Sequence, residues 1–220
     1  MLATATGPYL FWIASRAAGT AALLLSSLTV CVGLLMGGRI VSRRGPELRV
    51  THEALSLAAL AALAVHGLTL LGDGYLHPSL GEVAIPFLLA YRTVWTSLGI
   101  VAFWMLLVLG LSYYARARIG VQRWRRLHRF AALAWLLGLA HSLGDGTDAG
   151  QAWFLAMIAT AVVPALVLLL VRLLSSRRAP RPLTRAHAGV EHSEPGGAPS
   201  LQAAADSRPR LVRQRARVTQ

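Results

Sequence analysis

The hydrophobic pattern consists of long apolar runs separated by short loops of two alternating kinds. Loops rich in arginine, at 37–51 and 115–129, alternate with loops at 72–86 and 144–152 whose charges are all acidic. About 20 apolar residues in a helix cross a hydrocarbon core of about 30 Å. The pattern therefore predicts an all-α polytopic membrane bundle of about five transmembrane helices. Their approximate ranges are 9–36, 52–71, 87–114, 127–143 and 153–174.

The distribution of arginine between the loops predicts which end of each helix faces the cytoplasm. All 22 basic residues are arginine, and they give a net charge of +13 although only 14% of the residues are charged. Because arginine collects in cytoplasmic loops, we expect a multi-pass protein of the inner or plasma membrane with its N-terminus outside. Residues 175–220, rich in Arg, Pro and Ala, are predicted to form a disordered cytoplasmic tail after a membrane domain at 1–174. No base-reading motif accompanies the arginines, so the lipid bilayer is the expected partner and nucleic acid is not.

Two of the predicted helices carry a histidine near each end. His52 and His66 are 14 residues apart, and His128 and His141 are 13 apart, which is about 20 Å along a helix in each case. Since both helices run in the same direction, His128 matches His52 in depth and His141 matches His66. Fourteen residues bring His52 and His66 to one face, within about 40°, whereas 13 residues separate His128 and His141 by about 140°. Either a bulge or kink lies between the second two, or their helix meets two ligands from different sides.

Four imidazoles at two depths favour haem ligation, because each ionisable group in lipid is costly and facing histidines can hold an iron from both sides. As ligands the imidazoles must be neutral. Hydrogen bonding between helices and a proton path are the competing interpretations. His77 in an outer loop, and His187 and His192 in the tail, are not expected to be ligands. Cys31 alone supports neither a disulfide nor a thiolate metal site.

Two arginines are predicted near the outer face. Arg16 lies about two turns inside the first span, and Arg92 lies near the outer end of the third. Each could reach lipid headgroups, or the two could neutralise the carboxylates of one outer haem. The acidic turn that holds Asp145 and Asp148 is expected to be solvated. Neither a GxGxxG fingerprint nor a phosphate loop is present, so oxidation of a nicotinamide cofactor by this chain alone is not expected.

The order of these motifs resembles the ferric reductase-like transmembrane domain over residues 9–174. The resemblance rests on the two histidine spacings, on Tyr91-Arg92, on Leu127-His128-Arg129, and on His141 before Gly146-Thr147-Asp148. It implies that His52 pairs with His128 on an inner b-type haem and that His66 pairs with His141 on an outer one. Two haems are implied, with a single haem as the alternative.

The same resemblance implies a membrane cytochrome that carries electrons to an outer acceptor such as ferric iron, oxygen or a periplasmic reductase. Oxidases and ferric reductases of the family have a cytoplasmic flavin and nicotinamide domain, which the short tail does not match. A separate flavin reductase or a quinol is therefore the expected donor. Two alternatives stay open, namely a non-haem transporter or assembly subunit, and a cytochrome b561-like quinol or ascorbate oxidoreductase.

Overall fold

A computed structural model describes residues 7–37 and 45–177, and all regular secondary structure in these two ranges is helical. A π turn, Ile158–Val162, joins the last two helices into one continuous segment. The helices are α1 (Gly7–Gly37), α2 (Gly45–Leu70), α3 (Leu80–Ala84), α4 (Thr93–Leu111), α5 (Arg116–Ile119), α6 (Val121–His128), α7 (Phe130–Asp145), α8 (Ala152–Met157) and α9 (Val163–Arg177).

Four of the described helical segments are long and apolar enough to cross a membrane. They are Tyr9–Gly37, Gly45–Leu70, Thr93–Leu111 and Ala152–Ser175. The fourth predicted span is shorter, because α7 has 16 residues and is about 24 Å long. Only Arg129 separates it from α6, which continues the helical segment toward the arginine-rich loop. The prediction of an all-α helical membrane bundle is confirmed.

The exterior of the bundle is apolar. Leu68, Val108 and Leu170 expose more than half of their surface, at 63%, 63% and 57%. Lipid tails are as apolar as these side chains, so such an exterior is suited to a bilayer and unsuited to water. The lipid bilayer that the sequence predicts as a partner fits this surface.

The helices pack as two antiparallel pairs. α1 lies along α2, and α4 lies along α7, while α9 and the π turn pack against α1. The buried core gathers around Trp135, whose indole is 1% exposed and donates a hydrogen bond to Ser27 Oγ at 3.0 Å. It consists of Leu23, Trp135, Leu139, Phe154, Val162 and Ala165.

Several helix boundaries differ from those predicted. α2 begins at Gly45 because Pro46 and Glu47 suit the first turn of a helix, so His52 lies about two turns inside rather than at the start. The last helix continues to Arg177, past the predicted boundary at 174. The rest of the predicted tail, with His187 and His192, and the arginines of the loop at 38–44 lie outside the described residues.

The sequence places Pro164 where it is expected to bend the fifth span, and the structure has a π turn immediately before it. Proline has no N–H and its ring crowds the preceding turn, so the normal i to i−4 ladder cannot pass through it. The helix forms one wider turn instead, in which the N–H of Val163 donates to the carbonyl of Ile158, five residues earlier.

The loop after α2 is anchored by its own side chains. Ser79 and Glu82 form a capping box around α3, with Ser79 N–H donating to Glu82 Oε2 at 2.7 Å. The hydrogen bonds from Ser79 hold the pKa of Glu82 below its usual value. Asp73 is buried and accepts hydrogen bonds from the N–H groups of Tyr75 and Leu76, at 2.7 and 3.3 Å. The loop between α2 and α4 is thus held in shape by hydrogen bonds among its own residues.

Candidate functional site

The structure brings the four histidines together as two pairs. The ring centroids of His52 and His128 are 6.1 Å apart, with an angle of 76° between the ring planes. Those of His66 and His141 are 6.3 Å apart, at 62°. The depth matching predicted from the sequence therefore corresponds to side-chain pairs, one toward each end of α2.

The helical segment that carries His128 and His141 is interrupted at one residue between them. α6 ends at His128, Arg129 is a turn residue with helical φ and ψ of −60° and −26°, and α7 begins at Phe130. An uninterrupted ideal helix would turn His128 away from His141 by about 140°. The structure shows this interruption, and it places the two histidines against different partners, His52 and His66.

Three of the imidazoles are oriented by backbone carbonyls of a neighbouring helix. A carbonyl oxygen can only accept a hydrogen bond, so the proton of each of these rings is on Nδ1 and the lone pair is on Nε2. This is the tautomer that a metal bound at Nε2 requires. The hydrogen bonds run from His52 Nδ1 to Thr29 O at 3.1 Å, from His66 Nδ1 to Ser15 O at 2.8 Å, and from His141 Nδ1 to Trp95 O at 3.0 Å.

The fourth histidine, His128, is held mainly by an aromatic ring. Trp124 stacks on it with a centroid distance of 4.9 Å and an angle of 26°. The Nδ1 atom of His128 faces the Leu109 carbonyl without reaching good hydrogen-bond geometry. Ser112 links these groups, since its hydroxyl donates to Leu109 O at 2.7 Å and accepts from Trp124 Nε1 at 3.1 Å.

The spacing within each pair is too long for a direct hydrogen bond between the rings. Two imidazoles hydrogen-bonded through their Nε2 atoms have centroids about 5 Å apart. Two imidazoles on opposite sides of one metal, each about 2 Å from it, have centroids about 6 Å apart. The distances of 6.1 and 6.3 Å are longer than the first and compatible with the second, and within the described residues no hydrogen bond joins the two rings of either pair.

The ligands available also suit an iron held by a macrocycle. Within residues 7–37 and 45–177, no three His, Cys, Asp or Glu side chains converge on a point where they could hold a bare metal ion. Haem needs only two axial ligands from the protein. The donor set of two neutral imidazoles per site therefore fits haem better than a zinc or calcium site.

Space for a ligand is present beside the second pair. A cavity of about 680 Å³ reaches His66 and His141 and is lined mainly by apolar side chains of α1, α2, α4 and α7. Its size lies within the range of cofactor pockets, roughly 300–1,000 Å³. It exists because α2 packs chiefly on α1 and α7 chiefly on α4, so the helices that carry the histidines stay apart.

Arg16 has a partner that the sequence does not predict. Its guanidinium forms a bidentate ion pair with Asp148, with Nε to Oδ2 at 3.0 Å, and also lies over the Trp12 ring. Asp148 is only 9% exposed, so the expectation of a solvated acidic turn is wrong at this position. Both residues line the cavity beside His66.

Arg92 lies apart from the cavity lining. Its side chain is exposed and donates to the carbonyl of Gly144, in the last turn of α7, where cations are favoured by the helix dipole. Asp145, one residue further on, accepts a hydrogen bond from Thr96 at 3.0 Å and has an oxygen 3.9 Å from His141 Nδ1. Thus Arg92 fastens α7 to the start of α4, and Arg16 alone of the two arginines borders the candidate site.

Asp148→Asn is expected to destabilise the protein by roughly 2 kcal/mol, because it leaves a half-buried guanidinium without its carboxylate. The measurement is thermal unfolding of the purified protein in detergent. The double variant Arg16→Gln with Asp148→Asn is the control and should recover part of the loss, since it removes the unpaired charge. Additive losses in the double variant would show that the two side chains do not interact.

The end of the bundle that holds His52 and His128 is strongly basic. At the same end Tyr114, just after α4, donates a hydrogen bond from its hydroxyl to Glu53 Oε1 of α2 at 2.7 Å. This hydrogen bond to a carboxylate raises the pKa of Tyr114. The described arginines of α2, α5, α6 and the residue after α6 are Arg49, Arg116, Arg118, Arg123, Arg125, Arg126 and Arg129.

Sequence reasoning missed the groups that orient the histidines. Backbone carbonyls carry no sequence signal of their own, and a tryptophan among arginines does not indicate that it stacks on a histidine. The ion pair of Arg16 with Asp148 joins residues 132 apart in the chain and carries no local sequence signal. Comparison of this chain with known proteins identifies no relative. No family model, no curated protein and no solved structure matches it.

Proposed function

We propose that this chain is a membrane b-type cytochrome that carries electrons across the bilayer through two bis-histidine haems. His52 and His128 would hold one haem, and His66 and His141 the other. The observation that carries this proposal is the pairing itself, with centroid distances of 6.1 and 6.3 Å and three Nδ1 atoms engaged by carbonyls.

Haem bound at these positions would supply a reversible one-electron carrier at each depth. The chain's own contribution is to present Nε2 lone pairs, to fix the planes of the rings, and, at His66 and His141, to line the cavity mainly with apolar side chains. His52 and His66 are separated by about 20 Å along α2, so the two sites lie toward opposite faces of the membrane.

The donor belongs at the basic end and the acceptor at the opposite end. By the positive-inside rule, the arginines near His128 face the cytoplasm, where a flavin reductase or a quinol would deliver electrons. The cavity beside His66 and His141 then faces outward, toward ferric iron, oxygen or a periplasmic reductase. Assays of reduction with each donor would separate a flavin-dependent cytochrome from one that resembles cytochrome b561.

The experiment that tests the proposal is a dithionite-reduced minus oxidised spectrum of the purified protein, with its haem-to-protein ratio. We expect a b-type spectrum and about two haems per chain. One haem per chain would retain the cytochrome but contradict one of the two pairs. Protein that binds no haem after haem-replete expression would contradict the proposal and favour a transporter or assembly subunit.

A further inference from the structure

Each carbonyl that accepts a hydrogen bond from a histidine ring is followed, four residues later, by a glycine. This arrangement occurs on two different helices, α1 and α4, and for histidines of both pairs. We call each carbonyl and its glycine a histidine seat. The three seats are Ser15/Gly19 for His66, Thr29/Gly33 for His52, and Trp95/Gly99 for His141.

The glycines leave the space that the imidazoles occupy. A Cβ atom added at Gly99 would lie 2.8 Å from Cγ of His141, closer than real Cβ contacts allow. At Gly19 it would lie 3.0 Å from Nδ1 of His66, and at Gly33 it would lie 3.1 Å from Cε1 of His52. An alanine at Gly99 must therefore displace the ring of His141, and at Gly19 and Gly33 the facing ring must give way by a few tenths of an ångström.

The physical reason lies in helix geometry. The carbonyl of residue i already accepts the N–H of residue i+4, and its second lone pair is available for another donor. Side chains lean toward the N-terminus of their helix, so the Cβ of residue i+4 lies beside that carbonyl. With glycine at i+4, an imidazole from the next helix can approach the second lone pair.

The seats on α1 repeat with the spacing of the histidines on α2. Gly19 and Gly33 are 14 residues apart, as are His66 and His52. α1 and α2 are antiparallel, so the earlier seat meets the later histidine. One pair of helices therefore orients one ligand for each of the two sites.

His128 is the exception, and its position explains why. The carbonyl that it faces, Leu109, is 14 residues after Trp95, but α4 ends at Leu111. Residue i+4 therefore lies past the end of the helix, and the ring is covered by Trp124 instead. A glycine is not required where no continuing helix blocks the approach.

We propose that Gly19, Gly33 and Gly99 are positioning residues, which set the Nδ1–H to carbonyl hydrogen bond and thereby the orientation and basicity of the axial ligands. This inference rests on the proposed function. Hydrogen bonding at Nδ1 makes an imidazole a stronger electron donor at Nε2 and so tunes the metal that it binds.

The test is single Gly→Ala substitution, with haem content and midpoint potentials as readouts. Gly33→Ala is expected to affect only the haem of His52 and His128, by loss of about one haem of two or by a raised potential. Gly19→Ala and Gly99→Ala are expected to affect only the haem of His66 and His141. General misfolding would not produce opposite site selectivity.

Two other glycines provide matched controls. A Cβ at Gly81, in α3, would lie 3.4 Å from the nearest side chain, and one at Gly150 would have no atom of the described residues within 4 Å. Neither glycine lines the cavity beside His66 and His141. Gly81→Ala and Gly150→Ala should therefore keep both haems and both potentials.

The outcomes separate this inference from the proposed function. Wild-type protein with two haems, and seat variants that retain both with unchanged potentials, would overturn the inference alone. Loss of both haems in every seat variant would also overturn it, because selectivity is absent. Wild-type protein without haem would overturn the proposed function, and unfolding of the apoprotein would then test the seats: equal melting temperatures for seat and control variants would overturn them.

Discussion

Replacing His66 with alanine is expected to remove the haem of the His66/His141 pair and to stop electron transfer across the membrane. Under the proposed function one axial ligand is lost, and the remaining pair, His52 and His128, should still hold the other haem. The haem-to-protein ratio should fall from about two to about one. Reduction of an outer acceptor by proteoliposomes supplied with donor on the inside should fall to background. His141→Ala should give the same result.

A histidine outside the pairs supplies the control for this experiment. His77 lies in the loop between α2 and α3, is exposed and has a φ of 43°, a backbone conformation that asparagine tolerates. His77→Asn should therefore leave haem content and transfer unchanged. Added imidazole should partly restore the missing haem in a His66→Gly variant. Unchanged haem content in His66→Ala would refute the assignment of this ligand.

Replacing Trp135 with alanine is expected to cost the largest amount of stability of any single core substitution, about 3–5 kcal/mol. Trp135 is 1% exposed and packs with residues of α1 and of the last helical segment. In a bilayer the loss comes from van der Waals packing, because lipid is as apolar as the core. Thermal or denaturant unfolding of the purified protein in detergent measures it.

Two smaller changes divide this loss into packing and hydrogen bonding. Trp135→Phe keeps most of the packing but loses the hydrogen bond to Ser27, so a loss of about 1 kcal/mol is expected beyond the cavity that it leaves. Ser27→Ala removes the acceptor and leaves the indole N–H buried without it. If Trp135→Ala destabilises no more than Ser27→Ala, the packing argument is wrong.

Much of the candidate site could be predicted from the sequence because its ligands are ionisable groups in apolar runs. A histidine within a membrane span needs a reason, and spacing alone assigned the four residues to two depths. The partners of Arg16 could not be derived in this way. Asp148 is distant in the chain, and the two meet only because the turn after α7 folds over the end of α1.

The sequence by itself determined the helical membrane class, the approximate helices and the two depths of histidine. These follow from hydrophobic length and from rise per residue, which are properties of one helix at a time. The tertiary structure decided the break at Arg129, the ion pair of Arg16 and the histidine seats. Those depend on the rotation and register of one helix against another, and such relations between helices are fixed by packing rather than by any local pattern.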